Sequence, residues 1–100
     1  MNNDKQYKTN PVSLGLDFGT EAARAGLVDT AGNELGAGSH NYRHGQITGT
    51  LPGSDVSLPA RYDLQAPGDW IGSAAAATRE VIKDSGIDPR RSVGIGVDFT

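Results

Sequence analysis

Two segments at opposite ends of the chain share one alternation. Val12-Ser-Leu-Gly-Leu-Asp-Phe18 sets Leu14, Leu16 and Phe18 against Ser13, Gly15 and Asp17. Ser92-Val-Gly-Ile-Gly-Val-Asp-Phe99 sets Val93, Ile95, Val97 and Phe99 against Gly94, Gly96 and Asp98. A period of two is the signature of a β-strand with two unlike faces. Each strand ends with an aspartate on its glycine side, followed by phenylalanine. Between them, Ala22–Asp29 reads as a second strand and Glu34–Tyr42 as a weaker third. Thr30-Ala-Gly-Asn33 joins these two as a hairpin turn, since Gly32 and Asn33 tolerate positive φ.

Pro67–Ser85 is the one strongly helical segment. Pro67 suits the first turn, and Asp69 complements the positive N-terminal end of the helix dipole. Trp70, Ala74, Ala77 and Val81 share a face, with Ile71, Thr78 and Ile82 beside it. The alanine run favours helix and permits close packing on a sheet. Gly86 and Pro89 stop the helix. The order is β-β-β-α-β. A helix after three meandering strands acts as a crossover, which lays the fourth strand parallel to the first, almost always with right-handed connection. Residues 45–62 carry Gly, Pro, Ser and Thr without helical period and are expected to form a long irregular insertion. Residues 1–11 read as a disordered polar tail.

A chain of 100 residues makes one small domain at most. A formal net charge of −3 argues against general nucleic-acid affinity, which needs clustered Lys and Arg. There is no cysteine, so disulfides and thiolate metal sites are excluded. The polar start has no signal-peptide pattern, and no apolar run is long enough to span a bilayer. These features point to a cytoplasmic protein without a membrane partner.

If the first and fourth strands are parallel neighbours, Asp17 and Asp98 emerge together at the carboxyl edge of the sheet, where open α/β sheets bind ligands. Two adjacent carboxylates repel, so the arrangement implies a cation or a proton between them. The alternative is that each aspartate only caps its strand. Asp17-Phe-Gly-Thr20 forms a tight bend whose backbone N–H groups make a concavity suited to phosphate oxygens. Gly19 lets a phosphate approach without a Cβ in the way, and the Thr20 hydroxyl can donate to it. Asp17 can hold Mg²⁺ directly or through water. Arg24 either reaches the same anion or is an exposed strand charge. Gly94-Ile-Gly96 lacks the third glycine of a dinucleotide fingerprint, and close packing against the helix explains it better. His40 and His44 lie in strand or loop, so their spacing forms no helical metal pair; a surface or sugar-loop role fits them.

Leu14-Gly-Leu-Asp-Phe-Gly-Thr-Glu-Ala-Ala-Arg-Ala25, followed by Asp29, resembles the first phosphate motif of the FGGY carbohydrate kinases. Tyr42-Arg-His-Gly45, Leu64-Gln-Ala-Pro67 with Asp69 and Trp70, and Val93–Thr100 resemble the L-ribulokinase branch. Gly68 stands where these kinases often carry an acid. The resemblance covers residues 12–100 and implies the βββαβ start of an RNase H-like mixed sheet, the α/β architecture of actin, hexokinase and Hsp70-type ATPases. It implies an incomplete first kinase domain. ATP phosphates would meet Asp17, Gly19, Thr20 and Arg24, with Mg²⁺ at Asp17. Asp98 and Thr100 would lead into the sugar pocket. The catalytic base, second phosphate loop and adenosine site would follow Thr100, so these residues alone are expected to be inactive. The implied reaction is ATP-dependent phosphorylation of ribulose at its terminal hydroxyl in arabinose catabolism, by an enzyme that can be a homo-oligomer. Xylulose, D-ribulose or glycerol kinases of the same family are alternatives. An RNase H-like nuclease would also use acids on strands one and four, but the chain has no basic patch. An actin- or Hsp70-like nucleotide switch is disfavoured by Asp98 and its strand.

Overall fold

The computed structural model describes residues 11–99. The polar tail expected over residues 1–11 lies almost wholly outside that range, as does Thr100. Four strands form one sheet: β1 (Val12–Phe18), β2 (Ala22–Asp29), β3 (Glu34–Asn41) and β4 (Ser92–Phe99), in the order β3-β2-β1-β4. β1–β2 and β2–β3 are antiparallel hairpins, and β4 runs parallel to β1 through the crossover helix α1 (Pro67–Ser85). The third strand stops one residue short of the expected Tyr42. At that point Tyr42 is buried and its N–H turns to the Glu21 carbonyl at 2.8 Å.

Local chemistry sets these boundaries. Asp29 caps the β2–β3 turn, accepting from the N–H groups of Ala31 and Asn33 and from the Asn33 side chain. Those bonds, the Asn33 side-chain bond foremost, hold its carboxyl below the ordinary carboxylate range. Gly32 takes φ of 88° in that turn. Proline occupies the first turn of α1, and Gly86 ends it in the left-handed conformation with its N–H bonded to the Ile82 carbonyl. A single 3-10 turn, Pro89–Arg91, capped by Asp88, leads into β4.

The helix lies on one face of the sheet and mainly over β3 and β2. Val12, Leu14, Ala25, Leu27, Ala77 and Val81 form the main core, and Phe18, Ala23 and Tyr42 a second cluster under Trp70 and Ala74. Leu27, Val12 and Val81 are fully buried, each contributing about 1.5–3 kcal/mol from removal of apolar surface. Ala77 and Val81 of the expected stripe are buried; at its start Asp69 and Ser73 are the buried residues, while Trp70 and Ala74 are only partly buried against the second cluster. Ile71, expected beside the core, is 77% exposed. The helix crosses the sheet off-centre, over β3 and β2, and its first turn brings Trp70 onto Phe99 of β4.

The expectation that Gly94 and Gly96 admit the helix is not met. A Cβ added at either would meet nothing within 4 Å. The close approach is at β3 instead, where a Cβ on Gly36 would lie 3.0 Å from Val81 Cγ2 and one on Gly38 would lie 3.0 Å from the Ala77 carbonyl oxygen. Gly94 and Gly96 belong to the opposite face, and the apolar row of β4 is largely exposed, with Trp70 of the helix meeting Phe99 at its end. The insertion expected at residues 45–62 is irregular, closed by antiparallel bridges between Ile47 and Leu64 and between Thr50 and Ser57.

Candidate functional site

Register makes the site. Gly96, Gly15, Gly26 and Ala37 stand in line across all four strands on the face away from α1. The next line toward the carboxyl edge is Asp98, Asp17, Arg24 and Ser39. A side-chain-poor trough therefore runs beside a row of charges. All of these residues but Ser39 line an open groove of about 490 Å³. Asp17 and Asp98 are paired neighbours on parallel strands, as the alternation predicts. Adjacent strands lie about 4.8 Å apart, and both acids line the same groove.

The residues after the acids fix this pair. Phe18 and Phe99 stack on the helix side with centroids 4.6 Å apart, and Trp70 meets Phe99 edge-on at 5.7 Å. Such contacts add about 0.5–1.5 kcal/mol beyond burial, and they lock the ends of β1 and β4 in register. The Asp-Phe grammar thus places an acid on one face and its anchor on the other.

Asp17 is unevenly partnered. Arg24 Nη1 lies 3.5 Å from Asp17 Oδ2, both side chains being substantially exposed. An exposed pair of this kind is worth about 0–1 kcal/mol, which leaves the arginine free to exchange partners. Asp17 Oδ1 is buried and has no hydrogen-bond partner among the described residues. A buried carboxylate oxygen without a donor, next to a second carboxylate, fits a cation ligand. Among the described residues no group of three or more His, Asp or Glu could hold a metal. Mg²⁺ commonly takes one or two carboxylates and completes its shell with water and substrate phosphates.

The bend at residues 19–22 adjoins this row. Gly19 N–H donates to the Ala22 carbonyl at 2.9 Å. A Cβ on Gly19 would stand 3.3 Å from that oxygen, tighter than ordinary contact, and 3.8 Å from Arg24 Nη1, so a larger side chain would press on the bend. Gly19, Thr20, Glu21, Ala22 and Arg24 line a second cavity of about 360 Å³ with Ser39 and Asn41. The structure brings Asp17, Gly19, Thr20, Arg24 and Asp98 to one end of the sheet. Thr100 lies outside the described residues.

Several contacts near the site are not apparent from strand and helix periods. The Tyr42 hydroxyl donates to the Gly19 carbonyl at 2.8 Å. Burial, helped by the Asp17 charge, pushes the Tyr42 phenol above its usual value, so it remains a donor. Gln65 Nε2 donates to the Thr20 carbonyl at 2.9 Å, while Trp70 Nε1 donates to Gln65 Oε1 at 2.8 Å. Asp69 is buried instead of merely facing the helix dipole. It accepts from the His44 N–H at 2.9 Å and lies 3.0 Å from His44 Nδ1. Burial acts to raise its pKa, but the two His44 bonds outweigh it and leave the carboxyl below the ordinary range. His40 Nδ1 lies 3.3 Å from Ser73 Oγ. The only hint in the sequence was polar residues recurring on the helix flank that faces Tyr42–His44.

No family model matches the chain. It is 48% identical over 89 residues to a protein named ribulokinase from Mycolicibacterium smegmatis, covering 87% of this chain and 16% of the relative. A ribulokinase from Geobacillus thermodenitrificans is 45% identical over 87 residues, with 15% of its length covered. The chain therefore spans about one sixth of the length of these curated relatives. Among solved structures, a xyloylose kinase from Brucella ovis superposes with a TM-score of 0.68 at 28% identity, over 89% of this chain and 16% of that one. Nothing in these matches supports the nuclease reading. Among the described residues no helix is long and apolar enough to cross a membrane.

Proposed function

We propose, from the likeness of this chain to the amino-terminal part of the FGGY carbohydrate kinases, that it is the nucleotide-phosphate wall of an ATP-dependent sugar kinase. The substrate is ribulose, phosphorylated at its terminal hydroxyl. The observation that carries this reading is the register of Asp17 beside Asp98, at the end of the sheet where the Gly19–Ala22 bend opens.

The division of roles follows from that geometry. Gly19 and Thr20 offer a surface without a Cβ at its centre, together with a hydroxyl donor, to the β- and γ-phosphates of ATP. Arg24 exchanges its weak pair with Asp17 for a phosphate oxygen, a stronger charge-assisted partner. Asp17 turns its unpartnered oxygen toward a cation. Mg²⁺ bound there would neutralise charge on the transferring phosphoryl group. Asp98 lies one strand over, where its carboxylate can accept hydrogen bonds from sugar hydroxyls; the same reading assigns Thr100 to the sugar pocket. In-line transfer also needs a base for the attacking hydroxyl, and we assign that base to residues outside this chain. The same reading makes the full protein a cytoplasmic enzyme of arabinose catabolism, with domain I beginning near Val12. The xyloylose kinase neighbour favours a second reading, in which the sugar is another ketopentose of the same reaction class.

The test is ADP release by the full-length protein with ribulose, xylulose and glycerol offered in turn. Release that depends on ribulose is the expected result; release with none of the three would end the proposal. Gly19→Val should weaken MgATP binding, since its methyls would enter the space between the Ala22 carbonyl and Arg24.

A further inference from the structure

The bend between β1 and β2 is gripped from behind by residues that never reach the groove. Three successive carbonyls each accept a hydrogen bond: Gly19 from the Tyr42 hydroxyl, Thr20 from Gln65 Nε2, and Glu21 from the Tyr42 N–H. We propose that Tyr42 and Gln65 are positioning residues for this bend, holding its carbonyls so that the N–H groups of Thr20 and Glu21 face the cavity beside Arg24 as donors to nucleotide phosphate. The inference rests on the nucleotide reading above and names the side chains that orient its donors.

The argument is one of covalent geometry. A trans peptide unit is planar, and its N–H points opposite to its C=O. Holding the Gly19 carbonyl therefore fixes the direction of the Thr20 N–H, and holding the Thr20 carbonyl fixes that of Glu21. Both N–H groups point away from Tyr42 and Gln65, and neither donates to any described residue. Accepting a bond at the carbonyl also polarises the same peptide and strengthens its N–H as a donor.

Gln65 is itself held in one orientation. The Trp70 indole can only donate, so it takes Gln65 Oε1 and leaves the amide NH₂ for Thr20. The chain reaches this position through its long insertion. Ile47 and Leu64 exchange backbone hydrogen bonds of 2.8 and 2.9 Å, with Ile47 buried, and Gln65 is the next residue. The insertion thus delivers a donor to the back of the bend.

The experiment uses the full-length protein and two conservative variants. Gln65→Glu keeps the shape and the acceptor for Trp70 but replaces the donor with a carboxylate oxygen facing a carbonyl. Tyr42→Phe keeps the buried ring and removes only the hydroxyl. Each is expected to lower kcat/KM for MgATP by roughly five- to tenfold, the effect of losing one hydrogen bond. KM for the sugar should stay unchanged and the melting temperature should fall by no more than the few degrees one lost hydrogen bond costs, which separates positioning from a general loosening. If Gln65→Glu fails to fold, Tyr42→Phe alone decides. Unchanged nucleotide kinetics in the variants, or a loss shared equally with the sugar, overturns the proposal. Gly19→Val, measured alongside, separates the two ideas. If it weakens MgATP while the other variants do not, positioning alone fails. If none of the three alters nucleotide affinity, the bend meets no phosphate and both readings fall.

Discussion

β3 carries glycines at Gly36 and Gly38, β4 carries them at Gly94 and Gly96, and the two pairs lie on opposite faces of one sheet. Under α1 the glycines of β3 are pressed by the Val81 side chain and the Ala77 carbonyl. On the open face the glycines of β4 meet nothing, and Gly96 continues the trough of Gly15 and Gly26 beside Asp17 and Asp98. Identical spacing serves two ends: one pair lets a helix seat closely, and the other keeps a floor clear of side chains. Changes on the covered face should therefore appear in stability, and changes on the open face in ligand handling.

The largest expected effect is on the open face. Asp17→Ala in the full-length protein should lower kcat by about 10²-fold or more, as for loss of a preorganised electrostatic group. Its unfolding midpoint should barely move, because the exposed pair with Arg24 contributes little. An unchanged rate in steady-state assays removes Asp17 from the chemistry. On the covered face, Gly38→Val drives a side chain toward backbone that cannot yield, and denaturant unfolding should report about 1–3 kcal/mol of lost stability. A midpoint equal to the parent's would mean that the helix does not seat there. Gly96→Ala should be neutral or stabilising by up to about 0.5–1 kcal/mol, since alanine has less chain entropy to lose. A clear loss of stability would erase the contrast between the faces.

The smallest effect concerns acid. The Asp69 carboxyl sits below its ordinary value of 3.8, so its contribution is present above that pH and fades as pH falls through the lowered value. Asp69→Asn should flatten that part of the stability profile. A profile identical to the parent's would show that the His44 pairing adds nothing to the start of α1.

The strands and the helix were legible because their signals are local. Alternation marks Val12–Phe18 and Ser92–Phe99, and Pro67 and Gly86 bracket α1 within a few residues. The Asp17–Asp98 pairing followed from the crossover rule applied to two matching segments. Where α1 crosses the sheet was not legible, and so the close-packing role went to Gly94 and Gly96 in place of Gly36 and Gly38. That choice depends on long-range packing, which no window of sequence contains. The contacts of Gln65 with Thr20, Tyr42 with Gly19 and Asp69 with His44 join residues more than 20 positions apart. Each looks like an ordinary polar residue until the chain has folded back on itself.

The helix also leaves most of β4 uncovered, meeting it where Trp70 touches Phe99. Ile95, Val97 and Phe99 are each more than half exposed, along a strand with a free edge. A hydrocarbon seam beside unpaired backbone groups is adhesive in water. Expressed by themselves, these residues would be prone to stick to one another, and solubility requires that seam to be shielded.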